Sequence, residues 1–153
     1  DDKQAATWLR LAANQGEAHA QSLLGQLHLQ GRGVPQNDQE AAHWYRKAAT
    51  QGEVNAQFQL GVLYHEGRGL PPDDKEATKW FQQAATQGYA EAQFNLGVMY
   101  EEGRGVPQSN VQAIQWYQQA ANQGYAKAQF NLAMLYINPA GVTKKNVSPI
   151  QAK

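Results

Sequence analysis

Residues 90–124 read AEAQFNLGVMYEEGRGVPQSNVQAIQWYQQAANQG, and residues 54–88 read VNAQFQLGVLYHEGRGLPPDDKEATKWFQQAATQG. The second stretch is the first displaced by 36 positions, and the same marks recur along the whole chain at that period. Gln15-Gly16, Gln51-Gly52, Gln87-Gly88 and Gln123-Gly124 are one set; Ala20-Gln21, Ala56-Gln57, Ala92-Gln93 and Ala128-Gln129 are another. Leu24-Gly25, Leu60-Gly61 and Leu96-Gly97 follow, with Leu132-Ala133 as the last copy. Gly31-Arg32-Gly33, Gly67-Arg68-Gly69 and Gly103-Arg104-Gly105 come next, then Trp44-Tyr45, Trp80-Phe81 and Trp116-Tyr117. Self-similarity at a fixed period of this length identifies a repeat architecture, in which each unit buries its apolar face against its neighbours.

Each unit reads as helix, loop, helix. The first helix, A, spans about Ala18 to Gln30, with copies at +36, +72 and +108. The Gly-Arg-Gly loop ends it, because a glycine just past a helix takes the left-handed conformation that closes the last turn. Pro35, Pro71 and Pro107 prevent continuation. Asn37, Asp73 and Ser109 or Asn110 are suitable N-caps for the second helix, B. Ala41, Trp44, Tyr45 and Ala48 lie at i, i+3, i+4 and i+7 on helix B and form its apolar stripe. The fold class expected is all-α, a solenoid of 36-residue helix-loop-helix repeats forming one domain over residues 1–153. Its divisions are a partial repeat at 1–13, full repeats at 14–49, 50–85 and 86–121, and a partial one at 122–153. Gly141-Val142 and Ile150 continue the pattern, Pro139-Ala140 replaces Gly103-Arg104, and Pro149 suits the first turn of a final helix. Neither end carries an obvious polar capping helix, which suggests a fragment of a longer protein.

Composition narrows the function. Thirteen Lys and Arg balance thirteen Asp and Glu. This disfavours nucleic acid and anionic membrane surfaces, which select a basic excess. With no cysteine, disulfides, thiolate metal sites and cysteine nucleophiles are excluded, while the compartment stays open: periplasmic, secreted and cytoplasmic locations all suit the chain. No apolar run approaches the roughly 20 residues of a membrane helix, so no membrane insertion is expected.

Taken together, Ala-x-Ala-Gln-x-x-Leu-Gly-x-x-Tyr, the Gly-x-Gly-Val-Pro loop, Ala-x-x-Trp-Tyr-x-x-Ala-Ala and Gln-Gly resemble the Sel-1-like repeat family, relatives of the tetratricopeptide repeats. The third repeat carries the pattern as Ala90, Ala92-Gln93, Leu96-Gly97 and Tyr100; in the second, Val54 stands in place of the first alanine. The resemblance covers nearly the whole chain. It implies an α/α solenoid wound as a right-handed superhelix of antiparallel helix pairs, and an adaptor role in assembly, signalling or host contact. A secreted bacterial branch with paired cysteines, linked to β-lactam binding, is not matched.

In solenoids of this type the A helices line the concave surface. On one side of helix A, Ala56, Leu60, Leu63 and Tyr64, then Ala92, Leu96, Met99 and Tyr100, form a core stripe. The opposite side carries Asn55, Phe58, Val62, His65 and Glu66, then Glu91, Phe94, Val98, Glu101 and Glu102, then Lys127, Phe130 and Met134. An apolar pair repeated on three helices would make a strip of the kind that marks binding sites. With Glu66, Glu101 and Glu102 as an acidic rim, it would suit a peptide bearing apolar anchors and positive charge. Equally, Phe58, Phe94 and Phe130 could be covered by the adjacent A helix. Asn95 and Asn131 share one helical position where related clamps hold a ligand's backbone or carboxylate; with only Lys127 nearby they read as ordinary solvated asparagines. Arg32, Arg68 and Arg104 read as solvated loop residues.

Catalytic signals are missing. His19, His28, His43 and His65 form no metal-binding spacing, and His65-Glu66, being adjacent, point apart. His28 takes the place of Tyr64 and Tyr100, which suggests a core or loop-facing role. No Ser-x-x-Lys follows Ser22, Ser109 or Ser148, and the Gly-Arg-Gly loops lack the lysine of a phosphate loop. The expectation is a non-enzymatic scaffold for a protein or peptide, with no cofactor and no metal. The alternatives are a self-associating or longer structural solenoid, joined through its uncapped ends, and a small-molecule or cell-wall-related hydrolase or binding protein.

Overall fold

The computed structural model describes residues 1–140. Gly141-Val142, Pro149 and Ile150, used above to read the last repeat, lie outside the described residues. Eight α-helices follow in order: α1 (Asp2–Asn14), α2 (Ala18–Gln30), α3 (Asp38–Thr50), α4 (Val54–Glu66), α5 (Asp74–Thr86), α6 (Ala90–Glu102), α7 (Asn110–Asn122) and α8 (Ala126–Ile137). No strand occurs among the described residues, and the fold is an α-helical repeat solenoid. The A helices are α2, α4, α6 and α8; the B helices are α1, α3, α5 and α7. The chain divides into two compact units, Asp1–Asp73 and Asp74–Lys153.

The local rules place the boundaries. Gly31, Gly67 and Gly103 close α2, α4 and α6 in the left-handed conformation, with φ of 66°, 68° and 68°. Asn37 caps α3 by accepting from the Glu40 amide, and Ser109 caps α7 by accepting from the Gln112 amide. At the Gln-Gly turns the glycine again has positive φ, and its amide bonds the carbonyl of the second alanine of the Ala-Ala pair, as from Gly52 to Ala49.

Polar side chains explain the rest of the motif. The glutamine of each Ala-Gln pair donates through Nε2 to that same second alanine: Gln21 to Ala13, Gln57 to Ala49, Gln93 to Ala85 and Gln129 to Ala121, at 3.1 to 3.2 Å. The glutamine of the next Gln-Gly turn then donates to this amide, Gln51 to Gln21 at 2.8 Å and Gln123 to Gln93 at 2.9 Å. A buried amide that lost these partners would carry its full desolvation cost, so the glutamines lock consecutive helices in register.

A second linkage joins each of the first two loops to the helix B before it. Arg32 meets the Asp2 carboxylate at 3.3 and 3.0 Å, and Arg68 meets that of Asp38 at 3.3 and 2.9 Å. Arg32 and Arg68 remain about half exposed, as expected of loop residues, and are also engaged in two-pronged pairs, a geometry the planar guanidinium favours; Arg104 pairs with Glu102 at 2.7 Å. The second loop glycine makes the approach possible. At Gly33 and Gly69 φ is near +70°, and a Cβ would overlap the backbone carbonyls of Asp2 and Asp38.

Within the first unit Trp44 packs on Leu9, Ala12, Ala13, Ala20 and Leu24. Within the second, Phe94, Val98, Ala113, Tyr117, Ala120, Ala128 and Leu135 form the core. Gly97 lets α7 close onto α6: a Cβ there would lie 2.5 and 2.6 Å from the Tyr117 ring. At Gly25 the corresponding distance to the Tyr45 ring is 3.1 Å.

Candidate interaction surface

The residues expected to meet a partner separate by depth. Phe58, Val62, Phe94, Asn95, Val98 and Asn131 are buried. Asn55, His65, Glu91, Glu101, Glu102 and Met134 are partly exposed; Glu66, Lys127 and Phe130 are exposed. The continuous apolar strip is therefore corrected: its phenylalanines and valines on α4 and α6 are interior residues. Phe94 shows the physical reason. Its ring lies 5.7 Å from that of Tyr117 on α7 and 5.4 Å from that of Tyr125, which precedes α8. Such offset aromatic contacts are favourable, and helix B and the next turn join Ala128 and Leu135 of α8 in the core around Phe94. Phe130, on α8, is 53% exposed because none of the described residues supplies an equivalent pair of rings over it.

Asn95 and Asn131 are likewise not solvated. Asn131 is 3% exposed and donates through Nδ2 to the Tyr117 hydroxyl at 3.3 Å. That hydroxyl donates in turn to Glu101 Oε2 at 2.6 Å. Burial raises the Glu101 carboxyl above its usual range against the opposing pull of the Tyr117 hydrogen bond, and the neighbouring Glu102 raises it further. Burial and Glu101 together push the Tyr117 hydroxyl far up, so it stays a donor at any ordinary pH. This three-residue network escaped sequence reasoning. Its signal was present at the variable positions: Leu29, His65 and Glu101 are copies of one site, and Tyr45, Phe81 and Tyr117 of another.

Much of what remains at the surface of the A helices is polar and differs from copy to copy, while α8 also exposes Phe130, Tyr136 and Ile137. In the first unit it includes His19, Asn55, His65 and Glu66; in the second, Glu91, Glu101, Glu102 and Lys127. His28, as expected from its place in the repeat, is buried and faces Arg10 across 3.3 Å, where Tyr64 takes a hydrogen bond from Arg46. Among the described residues no three His, Asp or Glu side chains converge as a metal site would require. None of their helices is long and apolar enough to cross a membrane.

Comparison with known proteins finds the same 36-residue period. The family model of the Sel1 repeat matches residues 1–17, 18–53, 54–89, 90–125 and 126–152. Among solved structures, one is c5321, a protective antigen present in uropathogenic Escherichia coli strains and displaying an SLR fold. The chain is 44% identical to it over 93% of its own length and 30% of the antigen's, with a TM-score of 0.90. A Sel1 repeat protein from Oxalobacter formigenes is 38% identical over 94% of this chain and 57% of that one, with a TM-score of 0.86. The Helicobacter pylori cysteine rich protein B shares the fold at 21% identity and a TM-score of 0.62, over 81% and 94% of the two chains. The chain thus spans about a third to a little over half of the first two relatives. No curated protein matches it.

Proposed function

Since the chain belongs to the Sel1 repeat family, whose members are generally non-enzymatic scaffolds for protein interaction, we propose that it binds a protein or peptide segment through the exposed surface of its A helices, the concave side in this class of solenoid. One observation carries this reading. The residues that hold the repeats together, Ala-Gln, Leu-Gly, Gly-Arg-Gly and Gln-Gly, hardly change between copies, whereas several solvent-facing positions change chemistry from one copy to the next. His19, Asn55, Glu91 and Lys127 are one site in four successive repeats. Packing dictates the first set and leaves the second free for recognition. The contact residues proposed are Asn55, His65, Glu66, Glu91, Glu101, Glu102, Lys127, Phe130 and Met134, with Phe58, Val62, Phe94, Asn95, Val98 and Asn131 as the wall behind them.

A displayed peptide library selected on the wild-type chain tests this. Selected peptides should lose binding to a chain carrying Glu66→Lys, Glu91→Lys and Lys127→Glu, and keep it with Gln83→Lys and Gln112→Lys on the B helices. Binding indifferent to the helix-A changes would refute the reading.

A second reading, association between copies, draws on the outer helices. Trp8 and Leu11 on α1 are 71% and 50% exposed, while Trp44, the copy of Trp8, is packed at 5%; on α8, Tyr136 and Ile137 are 61% and 75% exposed. Exposed apolar patches favour association. Light scattering across a hundredfold range of concentration decides it, and a constant monomer mass would remove it.

A further inference from the structure

The Glu101–Tyr117–Asn131 network has two acceptors to spare. Tyr117 gives its single proton to Glu101 Oε2, and its oxygen accepts from Asn131 Nδ2, which settles which way the amide faces. Glu101 Oε1 and Asn131 Oδ1 are left buried, with no hydrogen-bond donor among the described residues. Such orphans in native structures call for an occupant, because an unsatisfied buried oxygen is costly. The charge makes the occupant specific. The charged group acting on Glu101 is another carboxylate, Glu102, whose own cation is Arg104. Two lone acceptors, one of them anionic and beside a second acidic residue, select a donor that is positive.

We propose that Glu101, Tyr117 and Asn131 form a receptor, between α6 and α8, for the basic side chain of a protein partner: a lysine ammonium or arginine guanidinium that donates to Glu101 Oε1 and Asn131 Oδ1. The inference rests on the interaction reading above and names the chemistry of one contact within it. Approach is by way of Glu101, which is partly exposed at the end of α6. Met134, partly exposed and three residues beyond Asn131 on α8, shares its side of that helix and can cover the aliphatic stem of a long cationic side chain. The receptor is particular to this repeat. Thirty-six residues earlier the carboxylate position is His65 and the hydroxyl position Phe81; seventy-two earlier the carboxylate position is Leu29.

The test is an NMR titration of the labelled chain with the capped tripeptide Ala-Lys-Ala, its arginine counterpart, and a norleucine counterpart of the same length without charge. The lysine or arginine peptide should shift the Asn131 side-chain amide and Tyr117 ring signals saturably; the norleucine peptide should not. Glu101→Gln, which can still accept from Tyr117, should weaken the response about tenfold or more, the scale of a lost charge-assisted bond. Equal shifts with norleucine, no saturation, or unchanged affinity in Glu101→Gln would overturn the proposal and leave the two oxygens to a buried water. Should Glu101→Gln fail to fold, the comparison of lysine with norleucine on the wild-type chain still decides. Library peptides that bind Glu101→Gln as tightly as wild type would refute the cation receptor and spare the scaffold; peptides insensitive to every helix-A change would refute the scaffold itself.

Discussion

Gly97→Ala measures how closely the two helices of a repeat must approach. The added methyl would sit 2.5 and 2.6 Å from two Tyr117 ring carbons, about 0.9 Å inside the 3.4 Å where ordinary contact begins. Tyr117 cannot readily yield. It is fully buried, lies against Phe94, and is hydrogen-bonded to Glu101 and Asn131. Overpacking of this kind costs roughly 1–3 kcal/mol. Replacing a mid-helix glycine returns about 1 kcal/mol of helix propensity. Because the ring is pinned, the upper part of the first range applies, and the net loss is roughly 1–2 kcal/mol. Gly25→Ala is the internal control: its methyl would meet the Tyr45 ring at 3.1 Å, a misfit of a few tenths of an ångström, so propensity should offset the strain. The last copy already carries alanine, Ala133, at an exposed position on α8. Urea unfolding followed by circular dichroism should show the Gly97→Ala midpoint lowered by roughly 0.5–1 M and the Gly25→Ala midpoint nearly unmoved. Equal shifts in the two variants, or a stabilised Gly97→Ala, would refute the argument from close approach.

Three further outcomes follow from the same contacts. Gln57→Leu and Gln93→Leu each remove one of two hydrogen bonds to a buried alanine carbonyl, Ala49 or Ala85, which keeps its glycine amide partner, and should cost about 0.5–1.5 kcal/mol in chemical denaturation, whereas Gln129→Leu, at an exposed copy of the site, should cost less than about 0.5. Arg68→Ala removes a half-exposed ion pair and should cost under about 1 kcal/mol, less than Gly69→Ala, which combines positive φ with overlap on the Asp38 carbonyl; a reversed order by thermal melting would contradict the loop geometry. Burial holds the Glu101 carboxyl above its ordinary value of 4.5, so between 4.5 and the raised value the folded chain binds more protons than the unfolded one. That contribution to stability is full below the window and is lost as pH rises through it; melting curves of Glu101→Gln should lack this component, and an identical pH profile in the variant would rule it out.

The repeat, the helix limits and the caps were legible in the sequence because they depend on interactions within a few residues. A left-handed glycine after Gln30, an asparagine cap at 37 and the Trp44–Ala48 stripe each act within one or two turns. The direction of the second apolar face of helix A was not legible in the same way. Periodicity shows that Phe94 and Val98 share a side, but their cover comes from Tyr117 and Tyr125, 23 and 31 residues beyond Phe94, and no local rule states that distance. One sequence signal did point to it: α6 carries Phe94, Leu96, Val98 and Met99 on successive sides, and a helix that is apolar all round is a buried one. The Glu101–Tyr117–Asn131 network needed tertiary structure altogether, since three helices separated in sequence bring its members together. Local forces determined the repeating frame; which side chains that frame hides and which it leaves to a partner was decided only when the helices packed.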